Sequence, residues 1–240
     1  MRKIFRRLIL VLAVFGLLIG AWEAANLVWE NRQEKQAGGD LKPSLPPDDE
    51  PGGKKKPISF GELRLRNGEV VGWVKVDNTR IDHPVVQGQD NKYYLRYDFN
   101  RRSSKFGAAF LDYRVRADFS DFNSVIYGHH IRNNNRMFHD LILFKDKAFF
   151  NSNHTGTLYT PTRTIPFEIF AVALTEPYAD FFRYDLLTPK QREEHIAYIK
   201  KNAMHYREIE LGPDDHILIL STCSYEFNEA RTLIAAKLAW

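Results

Sequence analysis

One cysteine, Cys223, is all that this 240-residue sequence contains, so no internal disulfide can brace the fold. Without a second thiol, the scattered histidines His83, His139, His154, His195, His205 and His216 form no metal signature. Gly-rich phosphate loops, a P-loop lysine motif and a dinucleotide fingerprint are all missing, which removes nucleotide-driven chemistry from consideration. No segment repeats. A surplus of positive charge is also lacking where it would matter. The net charge is +4, with 34 Lys/Arg and 30 Asp/Glu, but residues 1–56 hold 10 and 7 of these, leaving 24 and 23 for the rest. A nearly neutral remainder, with no basic stripe interleaved with aromatics, excludes nucleic acid as a partner.

What is present begins with the cysteine itself. Cys223 ends the apolar run Ile217-Leu218-Ile219-Leu220-Ser221-Thr222, and Arg231 follows eight positions later. A lone thiol at a strand end, in a chain with several histidines, is a candidate nucleophile, because the reactive species is a thiolate that a nearby imidazole or guanidinium can stabilise. The alternative is a buried structural cysteine. A second β-like run, Val125-Ile126-Tyr127, stops at Gly128-His129-His130. Consecutive residues of an extended segment point to opposite sides, so only one of the two histidines can face the thiol. Arg231, read by itself, is better explained as a strand residue in a surface salt bridge.

With 44% hydrophobic and 13% aromatic residues, the chain suffices for one domain with a real core plus appendages. Short β-like segments dominate from Phe60 onward: 70–76, 81–87, 108–113, 124–127, 157–159, 164–174, 217–221 and 232–238, separated by turn signals such as Asp77-Asn78 and Gly212-Pro213-Asp214. Eight short strands predict a mainly β (α+β) barrel. Helices are expected near 91–97, around 137–144, and over a long stretch from Thr188, where Thr188 is the N-cap, Pro189 the first helical residue, and Ile196, Ile199 and Ala203 recur at helical spacing.

Taken together, Tyr127-Gly128-His129-His130, Leu220-Ser221-Thr222-Cys223 and Arg231 resemble the His, Cys and Arg signatures of sortases, cysteine transpeptidases of Gram-positive cell walls, in the same chain order. The resemblance covers roughly residues 60–240. It is strongest to class B, through Val71-Gly72-Trp73-Val74, Pro84-Val85-Val86-Gln87-Gly88, Asn91-Lys92-Tyr93-Tyr94-Leu95 and the long helix between late strands. It implies a closed eight-stranded sortase-type barrel with an N-terminal helical segment. It also implies a reaction in which Cys223 attacks the carbonyl of a threonine in a C-terminal sorting signal, NPxTN-like or a related TG-ended motif. His129, directly after the glycine, protonates the departing amine, and a thioester forms. An amine of a peptidoglycan precursor or a pilin lysine then takes the acyl group. Arg231 would position the substrate and stabilise the oxyanion. Asn91, Leu95, Thr175, Tyr178, Ser221 and Thr222 match substrate-contacting positions of the class. No cofactor and no metal are implied. Tyr178, Phe181, Phe182 and Tyr184 either wall a peptide groove or staple the helix to the barrel. Ser224 stands where some relatives carry an acidic residue, which leaves the signal motif open.

The N-terminus carries Arg2, Lys3, Arg6 and Arg7, then an uncharged run from Leu8 to Trp22, then Glu23 and a further apolar stretch to Trp29. Read with the positive-inside rule, residues 1–30 are expected to be an uncleaved membrane anchor, the N-terminus cytoplasmic and the catalytic domain extracellular, with the cytoplasmic membrane as a partner. A cleaved secretory signal is the rival. Residues 31–56, rich in Pro, Gly and charge, are expected to be a flexible linker, and 57–240 the catalytic domain. Two other function classes share these features: a secreted cysteine protease or amidase that releases its product to water, and a non-enzymatic surface binding module.

Overall fold

Successive residues of the run Ile217-Leu218-Ile219-Leu220 enter two different cores. Leu218 and Leu220 join Val74, Val85, Ile126 and Ile234 in one buried cluster, whereas Ile217 and Ile219 join Phe181, Leu186 and Ile199 in another. A strand covered on both faces has no polar side, so its sequence reads as continuous apolar residues instead of an alternating pattern. The same holds for Leu233, Ile234, Ala235 and Ala236.

The computed structural model describes residues 13–26, 28, 59–130, 137–223 and 229–240, with the backbone alone at Cys223. The chain divides into two units, Met1–Pro57 and Ile58–Trp240. In the second unit the order is α1 (Phe60–Arg66), β1 (Val70–Val76), β2 (Asp82–Val86), β3 (Ala109–Leu111), β4 (Asn123–Tyr127), α2 (Lys147–Ser152), β5 (Thr155–Tyr159), β6 (Thr164–Thr175), α3 (Pro189–Asn202), β7 (His205–Tyr206), β8 (His216–Cys223) and β9 (Arg231–Leu238). Single-turn and longer 3₁₀ segments occupy Tyr93–Leu95, His139–Lys145 and Asp180–Phe182.

The strands pair in the order β5-β1-β2-β3-β4-β8-β9-β6, and pairing of β5 with β6 closes the ring into an eight-stranded mixed barrel. Only β2–β3 and β4–β8 are parallel. The long β6 serves two neighbours along one edge: its first half pairs with β5, and Ala171 and Val172 pair with the two-residue β7. The first cluster fills the barrel; the second lies between its outer face and α3 with the connection that leads to α3. That helix starts where the residues predict. The Thr188 side chain accepts from the Gln191 backbone N–H, the Gln191 side chain accepts from the Thr188 N–H at 3.0 Å, and Pro189 sits at the first position.

All eight expected strands form, to within a few residues at their ends. The helix expected around 137–144 is instead a 3₁₀ run, His139–Lys145, followed by the separate α2. Leu141 and Phe144, three apart, are its buried apolar residues, which suits three residues per turn. The expected helix at 91–97 contracts to Tyr93–Leu95, and β7 was too short to leave a periodic trace.

The anchor expectation is corrected. Among the described residues no helix is long and apolar enough to cross a membrane. The helical residues 13–26 contain Glu23, and at 1.5 Å per residue this run spans about 21 Å, short of a hydrocarbon core of roughly 30 Å. The single-pass placement with an extracellular catalytic domain therefore loses its support. The expected linker, 31–56, lies outside the described residues.

Candidate active site

Strand direction brings distant residues to one rim of the barrel. β4 and β8 run parallel and finish at the same end, with Tyr127 beside Ser221. Two residues beyond that pair the chain reaches His129 on one strand and Cys223 on the other. β9, antiparallel to β8, begins at this rim with Arg231 opposite Cys223, and β6 ends there with Thr175 opposite Arg231.

His129 is held by its backbone and its ring. The Gly128 N–H donates to the Ser221 carbonyl at 3.0 Å, and the Phe138 N–H donates to the His129 carbonyl at 3.1 Å. The imidazole Nε2 lies 2.7 Å from the Leu95 carbonyl oxygen. Two glycines make the placement possible. A Cβ on Gly128 would come within 2.5 Å of the buried Phe138 ring. Gly107 has φ +58°, and a Cβ there would press on the Tyr94 carbonyl and come 2.9 Å from His129 Cδ2. His130 goes elsewhere: it is buried, with its ring centroid 4.7 Å from that of His139.

A cleft of about 560 Å³ opens beside His129. Of the expected substrate-contacting residues it is lined by Asn91, Leu95, Tyr178, Ser221 and Thr222, and also by His129 and Arg231; Thr175 is not among its walls. Asn91 Oδ1 accepts from the Tyr113 N–H at 3.1 Å, which fixes that side chain in its loop. Ser221 and Thr222 are buried, and neither hydroxyl has a hydrogen-bond partner among the described residues. Such orphaned groups cost free energy until a partner arrives. Arg231 turns its Nη1 back onto the carbonyls of Glu229 and Ala230, at 2.9 and 3.2 Å.

The aromatic segment before α3 divides between the helix and the cleft. Phe181 is buried, 5.1 Å from the Tyr198 ring of α3, and staples the helix; Phe182, Tyr178 and Tyr184 face the cleft. Sequence reasoning missed a further group in the lining: Phe110, Tyr113, Arg114 and the ring of Tyr127. The spacing of Asp112 and Arg114, two apart after an apolar run, was the available signal. The Arg114 fork grips Asp112 at 2.7 and 2.9 Å, and the Tyr127 hydroxyl donates to the same carboxylate at 3.1 Å. Burial pushes the Asp112 carboxyl up, but Arg114 and its backbone N–H outweigh burial and hold it below the ordinary range. Among the described residues no three His, Cys, Asp or Glu side chains converge to hold a metal ion.

The family model for the sortase domain matches residues 74–239, which is most of the barrel and its rim. The chain belongs to the sortase family. Its similarities are to class B members, and it is a cysteine transpeptidase of that class. It is 29% identical over 236 residues to sortase B of Listeria monocytogenes, covering 95% of each chain. The crystal structure of Clostridium perfringens sortase B shares 34% identity with this sortase at a TM-score of 0.72, covering 76% of this chain and all of that one. Sortase B from the type II pilus of Streptococcus pneumoniae is also 34% identical, at a TM-score of 0.65, with 75% and 98% covered.

Proposed function

We propose that Cys223 is the nucleophile of this transpeptidase, His129 its general acid and base, and Arg231 the residue that orients the substrate carbonyl. The observation that carries this reading is the pairing of Cys223 with Arg231 across β8 and β9, at the rim where β4 delivers His129 into the same cleft. The Cys223 thiolate adds to the carbonyl carbon of a threonine; the bond from threonine to the next residue breaks, and His129 gives its proton to the leaving amine. The resulting thioester is attacked by a second amine, whose proton His129 takes, and the thiolate leaves as the new amide forms. With Nε2 facing the Leu95 carbonyl, Nε2 carries the proton of neutral His129, and Nδ1 is the nitrogen that exchanges protons with the reactants.

The donor is a protein or peptide ending in an NPxTN-like or TG-ended sorting signal. Its chain lies in the cleft against Tyr178 and Phe182. The acceptor is an amine of a peptidoglycan precursor or a pilin lysine. The test incubates the full chain with a panel of sorting peptides and reads the intact mass, with and without glycine- and lysine-type amines. A thioester adduct that added amine converts to a new amide supports the reading. An adduct consumed only by water makes the protein a protease, and turnover by Cys223→Ala removes the nucleophile assignment.

A further inference from the structure

Asp112 is 1% exposed, yet it is a carboxylate, and everything that compensates it bears on the cleft. Arg114 holds it with Nε and Nη2; its own backbone N–H adds a third bond at 3.0 Å. The Tyr127 hydroxyl supplies another, from the last residue of β4, two before His129. The outer face of the guanidinium is not bare: its carbon lies 4.1 Å from the centre of the Tyr184 ring, on the connection from β6 to α3. Gln87 ties down the Asp112–Val115 turn through the carbonyls of both residues, at 2.9 and 2.7 Å. One side chain thus links two segments of the cleft lining. On one side it holds the ends of β3 and β4. On the other it holds the segment that presents Tyr178, Phe182 and Tyr184.

We propose that Arg114 is a positioning residue for peptide recognition, clamped on Asp112 and set against Tyr184 so that the Tyr184 part of the β6–α3 connection stays docked beside the β3 and β4 ends. Arginine suits this task and lysine does not. A planar fork can engage both carboxylate oxygens and still present a flat face to an aromatic ring, whereas an ammonium is a point charge that can do one or the other. The cost of disordering that segment falls on binding, since the reacting groups sit on β8, β9 and the turn after β4.

This inference rests on the transpeptidase reading above, and the experiment separates the two. Peptide turnover by the full chain is compared for wild type, Arg114→Lys, Tyr184→Leu, Tyr184→Phe and the Arg114→Lys/Tyr184→Leu double variant, with thermal melts to confirm folding. Arg114→Lys is expected to raise KM about tenfold and to change kcat by less than about twofold. Tyr184→Leu should resemble it, Tyr184→Phe should lie closer to wild type, and the double variant should be no worse than the worse single one. Hydrogen exchange adds a readout that needs no turnover: amides of 176–187 exchange faster in Arg114→Lys while those of β8 and β9 do not. An unchanged KM in a folded Arg114→Lys protein, additive effects in the double variant, or unaltered exchange at 176–187 overturns the proposal. If Arg114→Lys fails to fold, Tyr184→Leu, on a half-exposed ring, carries the test alone. A wild type that turns over no peptide counts against the transpeptidase reading, and hydrogen exchange then decides the positioning role.

Discussion

His129 directs its Nε2 at the carbonyl oxygen of Leu95, 2.7 Å away, so a main-chain atom does the orienting that a carboxylate does in many Cys–His sites. A carbonyl cannot be protonated or mutated away by side-chain substitution. It orders the ring without adding negative charge, and it makes the Leu95 position matter through its backbone more than through its exposed side chain. Leu95→Ala is therefore expected to alter turnover by less than about fivefold, in contrast to His129→Ala, where loss of the acid and base costs a thousandfold or so. Steady-state kinetics on the two variants checks this, and an inactive, folded Leu95→Ala protein would move the role to the side chain.

His130→Ala should behave differently from His129→Ala. His130 is buried beside His139 and does not line the cleft. Truncating it leaves a cavity, so a drop in melting temperature is expected, corresponding to roughly 1–3 kcal/mol, with turnover of the folded fraction kept within about tenfold. A dead His130 variant alongside an active His129 variant would reverse the assignment.

Arg231→Lys tests whether charge alone suffices at the position opposite Cys223. Lysine keeps the charge but loses the planar fork. Turnover is expected to fall by about a hundredfold, with little change in unfolding midpoint, because Arg231 is only partly buried and its bonds go to carbonyls of its own turn. Near-normal activity in the lysine variant would show that a positive charge is all the site requires.

Gly128→Ala and Gly107→Ala probe the placement of His129 from two sides. The first pushes the added methyl into the Phe138 ring. The second places it against the His129 ring and the Tyr94 carbonyl at a left-handed backbone conformation. Each is expected to destabilise the fold by about 1–3 kcal/mol and to reduce kcat in the folded protein more than KM. Chemical denaturation and kinetics measured together give the answer; unchanged kcat in both variants would mean that the ring does not depend on these contacts.

His195, on the buried face of α3, predicts a pH dependence of stability. Both of its ring nitrogens lack partners among the described residues, and burial, aided by the charge of Arg183, lowers its pKa from 6.5 to about 4. The unfolded chain takes up a proton below pH 6.5 that the folded state refuses until about pH 4, so stability is full above 6.5 and declines across that window. The loss amounts to about 2 kcal/mol between pH 7.5 and 5. In His195→Leu this contribution should vanish, which urea unfolding at the two pH values measures. Parallel losses in both proteins would assign the acid sensitivity to other groups.

Much of this architecture was open to reading because it is written in short-range patterns. Apolar runs of strand length mark the barrel strands, Thr188-Pro189 marks the start of α3, and Tyr127-Gly128-His129 and Cys223 mark two strand ends. Each depends on residues within a few positions of one another, where periodicity and capping act. The N-terminal apolar stretch misled for the complementary reason: composition suggested a span, and the described helix is neither long nor apolar enough for one.

By itself, then, the sequence determined the eight barrel strands and the start of α3, and which residue types with cysteine, imidazole and guanidinium chemistry stand at strand ends. Only the tertiary structure decided what those residues meet. It turned His129 to the cleft and His130 to His139, made the Leu95 carbonyl the partner of the imidazole, left Thr175 off the cleft walls, and joined Asp112, Arg114, Tyr127 and Tyr184 into one network. These contacts link residues up to some seventy positions apart. Their partners are chosen by the order in which eight strands close into a barrel and by the register of each pair, and no local pattern encodes either.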